Sequence, residues 1–226
     1  LSKQKNGSYR VPLQHLPLQL KERLELAGLL RLKSLDFKYP PQGSAEFIHR
    51  THPLVSHLAN YLSEVAMTGE ENSLVARAGA IKTKAVAKKQ VIYLLRLRSR
   101  LSIRRTQDDA AITRDLLAEE AIALMVDSFG EPQIIDSDKL LAMMQSEVSK
   151  DITHEAKIRE LEMAIEQLPA LEPHFRAVAE ERAQEVLADH RRARDAAEGK
   201  GSYSVRPQLP VDIMGIYVLI PDAGLI

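Results

Sequence analysis

The sequence predicts an α+β fold: an antiparallel sheet with packed helices, then a C-terminal helical pair and a last strand that returns to the sheet. Three patterns carry this expectation. Residues 17–67 hold two stretches of helical period, residues 74–126 switch to period 2, and residues 154–198 return to spacings of three and four before an apolar run at 211–220. The implied division is an α+β region with a basic-faced antiparallel sheet over 1–150. Residues 151–226 then form the helical pair plus a terminal strand that docks on the sheet.

Residues 8–13 are short and strand-like. Pro17 stands at the first-turn position of a helix whose apolar face is Leu20, Leu24 and Leu26 to Leu30, with Gly28 as its stop. "LKSLDF" at 32–37 alternates apolar and polar and ends at Pro40 and Pro41. "AEFIHRTHPLVSHLANYLSEVAM" gives a short strand, a turn, and a helix from Pro53 to Met67 with Leu54, Leu58, Tyr61, Leu62 and Val65 on one stripe.

In "VIYLLRLRSRLSIRR", Leu95, Leu97, Ser99 and Leu101 fall on one side while Arg96, Arg98 and Arg100 fall on the other, the alternation of a half-buried strand. "AIKTKAV" shows the same parity, with Lys82 and Lys84 on one face. "DLLAEEAIALMV" fits a strand or a helix; its place after the preceding strands favours a strand. Ser137 or Asp138 can cap a short helix through Gln145. Ile158, Leu161, Ile165 and Leu168 then mark one helix, and Leu171, Phe175, Val178, Val186 and Leu187 a second. Pro169 and Pro173 separate the two, and Gly199 and Gly201 end the second. A loop with two prolines leads to Val211, Ile213, Ile216, Val218 and Ile220. These mix two parities around Gly215, so the run is buried on both faces or bulged at that glycine.

With 226 residues, 45% hydrophobic, 27% charged and zero formal net charge, the totals describe a globular chain able to bury a core and exclude a disordered one. The lack of cysteine excludes a disulfide framework, a thiolate zinc site and a cysteine nucleophile, and it is compatible with a cytoplasmic location. No apolar run approaches the length of a membrane span. The chain begins at Leu1 and reads as a piece of something longer.

Zero net charge conceals a sharp segregation. Between Asn72 and Gln107 there are ten Lys or Arg and no Asp or Glu. Nine of them, Lys82, Lys84, Lys88, Lys89, Arg96, Arg98, Arg100, Arg104 and Arg105, are the candidate nucleic-acid-binding residues, because cations repeating along strands suit a phosphate backbone. Only Tyr93 is interleaved with them, so contacts would go to phosphate or sugar rather than to stacked bases. The competing reading is neutralisation within the fold by Asp108, Asp109, Glu119, Glu120 or the acidic face of the long helix. "HRRAR" at 190–194 is a second basic cluster, which the negative end of a helix dipole explains.

No catalytic or metal-ligating residue is assigned. His49, His52 and His57 are close in sequence but are not expected to converge, since His52 precedes Pro53 and His57 lies a turn inside the helix. "THEAKIRE" places Ile158 where a zinc-protease helix needs its second histidine. Phosphate-loop, nucleophile-elbow and dinucleotide-loop spacings do not occur.

Three segments in order carry a family resemblance: "LKSLDFKYPPQGSAEFIHRTHPLVSHLANYL", then "RAGAIKTKAVAKKQVIYLLRLRSRL" with "LLAEEA", and last "ERAQEVLADHRRARDAAEGKGSYSVRPQLPVDIMGIYVLIP". Together they resemble the region C-terminal to the motor in bacterial Swi/Snf-type helicase-like ATPases, the branch that includes RapA and the helicase-like proteins of phage-defence islands. The matching positions are His52 to Val55, and Pro207, Leu209, Pro210, Asp212, Gly215 and Tyr217. The resemblance implies a non-catalytic C-terminal accessory region of an ATP-dependent nucleic-acid translocase. It places ATP and Mg in an N-terminal motor outside these residues and makes duplex DNA and that motor the partners. RNA polymerase binding does not carry over. The alternative is a protein-interaction scaffold that docks a protein partner on the helical pair without binding nucleic acid.

Overall fold

The computed structural model describes residues 1–12, 15–68, 73, 75–107, 110–127, 132–150, 152–195 and 201–222; within these, the side chains of 105–107, 110, 111, 150 and 195 are not described. The chain divides into two units, Leu1–Ala76 and Arg77–Ile226.

In the first unit, β1 (Ser2–Lys3), β2 (Tyr9–Arg10), β3 (Ser34–Asp36) and β4 (Glu46–Phe47) form a sheet in that order, with β3 and β4 parallel. α1 (Leu18–Leu26) stops before Gly28, which takes the left-handed φ of 68° that a side chain would resist. A 3-10 turn at Leu29–Arg31 then leads into β3. Leu20 and Leu24 of α1 pack with Leu35, Ile48, and Leu54 and Tyr61 of α2 (Pro53–Thr68). Arg23 and Glu64 join the two helices by a paired hydrogen bond.

"HPLV" owes its order to helix capping. Pro53 fills the first helical position, where no backbone donor is needed, and His52 Nδ1 accepts from the Leu54 N–H at 3.1 Å. That fixes the proton on Nε2, which lies 2.9 Å from Glu46 Oε1. His52 is therefore a buried structural residue.

In the second unit, β5 (Ala78–Thr83), β6 (Gln90–Gln107), β7 (Ala110–Asp127), β8 (Gln133–Ile135), β9 (Val148–Lys150), β10 (Ser202–Pro207) and β11 (Asp212–Pro221) make one seven-stranded sheet. Its order is β8-β7-β6-β11-β5-β9, and β10 pairs with β6 beyond the end of β11. The expected strand over "DLLAEEAIALMV" lies inside β7. β10 and β11 run end to end, both antiparallel to β6, whereas β5 and β11 are parallel. The apolar terminus thus returns to the sheet as an interior strand between β6 and β5.

Three helices cover parts of the two faces. α4 (His154–Glu166) and α5 (Leu168–Asp195) pack on the side presented by Val91, Tyr93, Leu95 and Leu97. α3 (Ser137–Met144) packs on the opposite side, where Met143 meets Ile92, Ala123, Met125 and Leu219. α5 presents Leu171, Phe175, Ala179, Ala183 and Leu187, a strict spacing of four whose alanines let the helix lie close to the strands.

Several boundaries differ from expectation. The units divide at Ala76/Arg77 rather than at residue 150, because β11 is hydrogen-bonded between two strands of the preceding segment. The cap of α3 is Asp136, which accepts from Lys139 N at 2.7 Å. Pro169 does not break the helical pair: it sits in the first turn of α5, Pro173 lies within α5, and the break falls at Gln167. Residues 202–207, expected in a loop, form β10, with Tyr203 and Val205 turned toward Leu101, Ile103 and Leu187. Gly199, Asp108 and Asp109 lie outside the described residues.

Candidate functional site

β6 organises the candidate basic face. Its odd-numbered residues from Val91 to Ile103 are all buried, and Arg96, Arg98, Arg100, Ser102 and Arg104 occupy the other side. The period-2 reading of these arginines agrees with the pleat. The lysines fall elsewhere. Lys82 follows Ala80 by two residues, and Ala80 packs in the core beneath α4 and α5, so Lys82 shares the helix-covered side. Lys84 and Lys88 are exposed in the connection between β5 and β6. The candidates do not line a single face.

Four are neutralised within the fold. Lys82 Nζ lies 3.4 Å from Asp222 Oδ1, and Lys89 pairs with Glu160. A hydrogen bond from Ser149 holds Asp222 below the usual carboxylate range, and the charges of Lys82 and Lys84 act in the same direction. Asp212, the first residue of β11, takes two arginines. Arg96 donates to its Oδ2 from Nε at 3.0 Å and from Nη2 at 2.8 Å, and Arg98 Nη2 lies 3.3 Å from Oδ1. Arg98 also stands opposite Glu119 in register.

Arg100 and Arg104 are different: no acidic group pairs with either among the described residues. Arg100 is flanked by Leu117 on β7 and by Arg206 on β10, and Arg104 by Thr113 and Ser202. Ser102, between them, donates to Asp115 at 2.6 Å. Arg206 is the residue that sequence reading missed. Its signal was the alternation Ser202, Ser204, Arg206 against Tyr203, Val205, which the nearby prolines obscured. Arg105 lies on β6, but its side chain is outside the described part.

The exposed centre of this face is therefore two arginines directly opposed across adjacent strands, a third four residues further along β6, serines between them, and Asp115 and Glu119 of β7 diagonal to Arg100. Like charges in directly opposed positions destabilise a sheet. An anion placed over the row would relieve that repulsion and meet two planar guanidinium forks suited to phosphate oxygens. Among the described residues no three His, Asp or Glu side chains are grouped to hold a metal ion. No helix of the described residues is long and apolar enough to cross a membrane.

No curated protein and no solved structure matches the chain. Residues 65–224, which span every strand and helix of the second unit, match a family described as a domain of unknown function, DUF8741, and the chain belongs to that family.

Proposed function

We propose that this chain is a non-catalytic accessory region that contacts the phosphate backbone of duplex DNA through Arg100, Arg104 and Arg206. It would serve an ATP-dependent, helicase-like translocase acting in the cytoplasm, with ATP and Mg bound by a motor outside these residues. The carrying observation is the Arg100–Arg206 row, because two directly opposed cations that no acidic group pairs with among the described residues are otherwise a cost to the sheet. The sequence resemblance to the region following a Swi/Snf-type motor supports the choice of ligand. Replacing Arg100 and Arg206 with Glu tests it by fluorescence anisotropy with a duplex oligonucleotide at low salt. The reading requires a large loss of affinity with the fold retained, and unchanged affinity removes it.

A protein-interaction scaffold has its own supporting observation. Ile158 and Ile165, two turns apart on α4, are 42% and 52% exposed. Salt separates the two readings: phosphate binding weakens by about 0.9 log units per neutralised phosphate per log unit of salt, whereas an aliphatic contact barely responds.

A further inference from the structure

We propose that the first unit carries a binding site for a phosphorylated sugar on the side of its sheet that faces away from α1 and α2. Tyr9 and Leu35, paired across β2 and β3, pack with the residues of those helices. Arg10 and Ser34, the next pair, therefore point the other way. A cavity of about 580 Å³ lies there, lined by Gln4, Asn6, Arg10, Lys33, Ser34 and Gln42 among others, and Val11, Leu32 and Ala45 are its only apolar lining residues. No Asp or Glu lines it.

The polar groups are arranged as donors. Ser8 is fully buried, and its backbone N–H donates to Asn6 Oδ1 at 3.2 Å. A backbone N–H can only donate, so the bonded atom of Asn6 is its oxygen and its amide nitrogen is left over. The Ser34 hydroxyl donates to the Ser8 hydroxyl at 3.0 Å, and the Ser8 hydroxyl lies 2.7 Å from Asn6 Oδ1 and 2.8 Å from Gln4 Oε1. Both amides are thus held by their oxygens. Their nitrogens have no partner among the described residues, and no acidic group there pairs with Arg10 or Lys33. Asp36, on the same side of β3, does not line the cavity: it is 4% exposed, and its carboxylate accepts from the N–H groups of Lys38 and Gln42.

Two cations and two spare amide donors without a local acid suit an oxyanion. The planar fork of Arg10 and the ammonium of Lys33 match phosphate oxygens in particular. A bare phosphate leaves most of this volume empty, and the volume falls in the range of about 300–1,000 Å³ typical of small-molecule sites. The Ser34 hydroxyl and the Gln42 amide supply the mixed donors and acceptors that sugar hydroxyls need. No aromatic ring lines the cavity, so a stacked base is not part of what it recognises. A free sugar phosphate and a nucleic-acid strand offer this same chemistry. The site uses no residue of the Arg100–Arg206 row.

Titrations of the isotope-labelled full chain with ribose phosphate, with ribose and with a single-stranded oligothymidylate test it, read by NMR at the Asn6, Ser8 and Ser34 backbone amides. Ribose phosphate should shift these resonances saturably and ribose should not. A response to ribose phosphate alone names a free sugar phosphate as the ligand, and a response to the oligonucleotide alone names a strand. A response to neither overturns the proposal, as does an equal response to ribose. Asn6→Asp keeps the oxygen that accepts from the Ser8 N–H and replaces the spare amide with a second oxygen, so the turn is retained while the site gains a repelling charge. It should weaken binding by about ten-fold or more, and undiminished affinity overturns the proposal. Arg100→Glu with Arg206→Glu should leave the shifts unchanged, so failure of this site and failure of the duplex-DNA reading are seen separately; loss of the shifts in that variant would transfer the binding to the arginine row and overturn the site.

Discussion

Arg77 and Gly215 hold the β-bulge that lets the terminal strand enter the sheet. The guanidinium of Arg77 donates to Met214 O at 2.8 Å and Ile213 O at 2.7 Å, and the Ile216 N–H donates to Arg77 O at 2.9 Å. The register of β11 on β6 shifts between Ile213 and Gly215, so the residue that carries the strand past β5 must approach its backbone closely.

A Cβ at Gly215 would lie 2.7 Å from Arg77 O and 3.4 Å from the Tyr217 ring. Gly215→Ala should therefore destabilise the second unit by about 1–3 kcal/mol, as overpacking does when a backbone atom cannot yield. Arg77→Ala should also lower the melting temperature, by leaving two bulge carbonyls without their donor. Thermal melts read both, and an unchanged Gly215→Ala would show that the bulge can relax.

Tyr93 is fully buried, its ring centroid is 5.9 Å from that of Phe175, and its hydroxyl donates to Ala164 O at 2.8 Å. Burial pushes its pKa up to about 12. The native state thus holds the proton where the unfolded chain has released it. The stabilisation is complete below about pH 10 and is lost as pH rises toward 12. Tyr93→Phe should cost about 1 kcal/mol at neutral pH. It should also flatten the alkaline fall in stability, which denaturant titrations across that range would measure.

Asp36 works in the other direction. It is buried, and its carboxylate accepts from the backbone N–H groups of Lys38 and Gln42, both at 3.0 Å, which hold its pKa below the usual carboxylate range. Its contribution is present above the unfolded-state value, near 4, and is lost as acid protonates the native carboxylate. Asp36→Asn should lower the stability of the first unit at neutral pH, since the amide replaces one acceptor with a donor. The gap from wild type should narrow as pH falls below 4, whereas a gap independent of pH would assign the effect to packing instead.

Side-chain periodicity made much of this fold legible. The helix from Pro53, the alternation of Leu95 to Leu101 and the returning strand were each written in strong apolar contrast. Weak contrast hid the rest. Ala179 and Ala183 are core residues of α5, but alanine carries little hydropathy signal, so Val186 stood in their place. Tyr203 and Val205 were screened by the prolines that follow. The lysines fall off the arginine face for another reason. Alternation within a strand is local, but the facing of Lys82 relative to Arg96 depends on β11 lying between their strands. The partner acids of Lys89 and Arg96, Glu160 and Asp212, lie 71 and 116 residues away in the sequence, which no local pattern encodes.

Asp212 gives the sharpest test of what the arginine face does, because it occupies two arginines beside the Arg100–Arg206 row. The carboxylate and both guanidinium groups are about a third or more exposed, so their ion pairs contribute only about 0–1 kcal/mol to stability. Asp212→Asn should leave the fold intact while releasing Arg96 and Arg98. If the face binds phosphates, affinity for duplex DNA should rise. The slope of log K against log salt should steepen by about 0.9 for each arginine that gains a phosphate. If the face is only a solvated surface, the substitution should change neither quantity. A gain of binding is difficult to produce by damaging a protein, so anisotropy titrations of Asp212→Asn at several salt concentrations separate a phosphate-binding face from one whose charges serve only the fold.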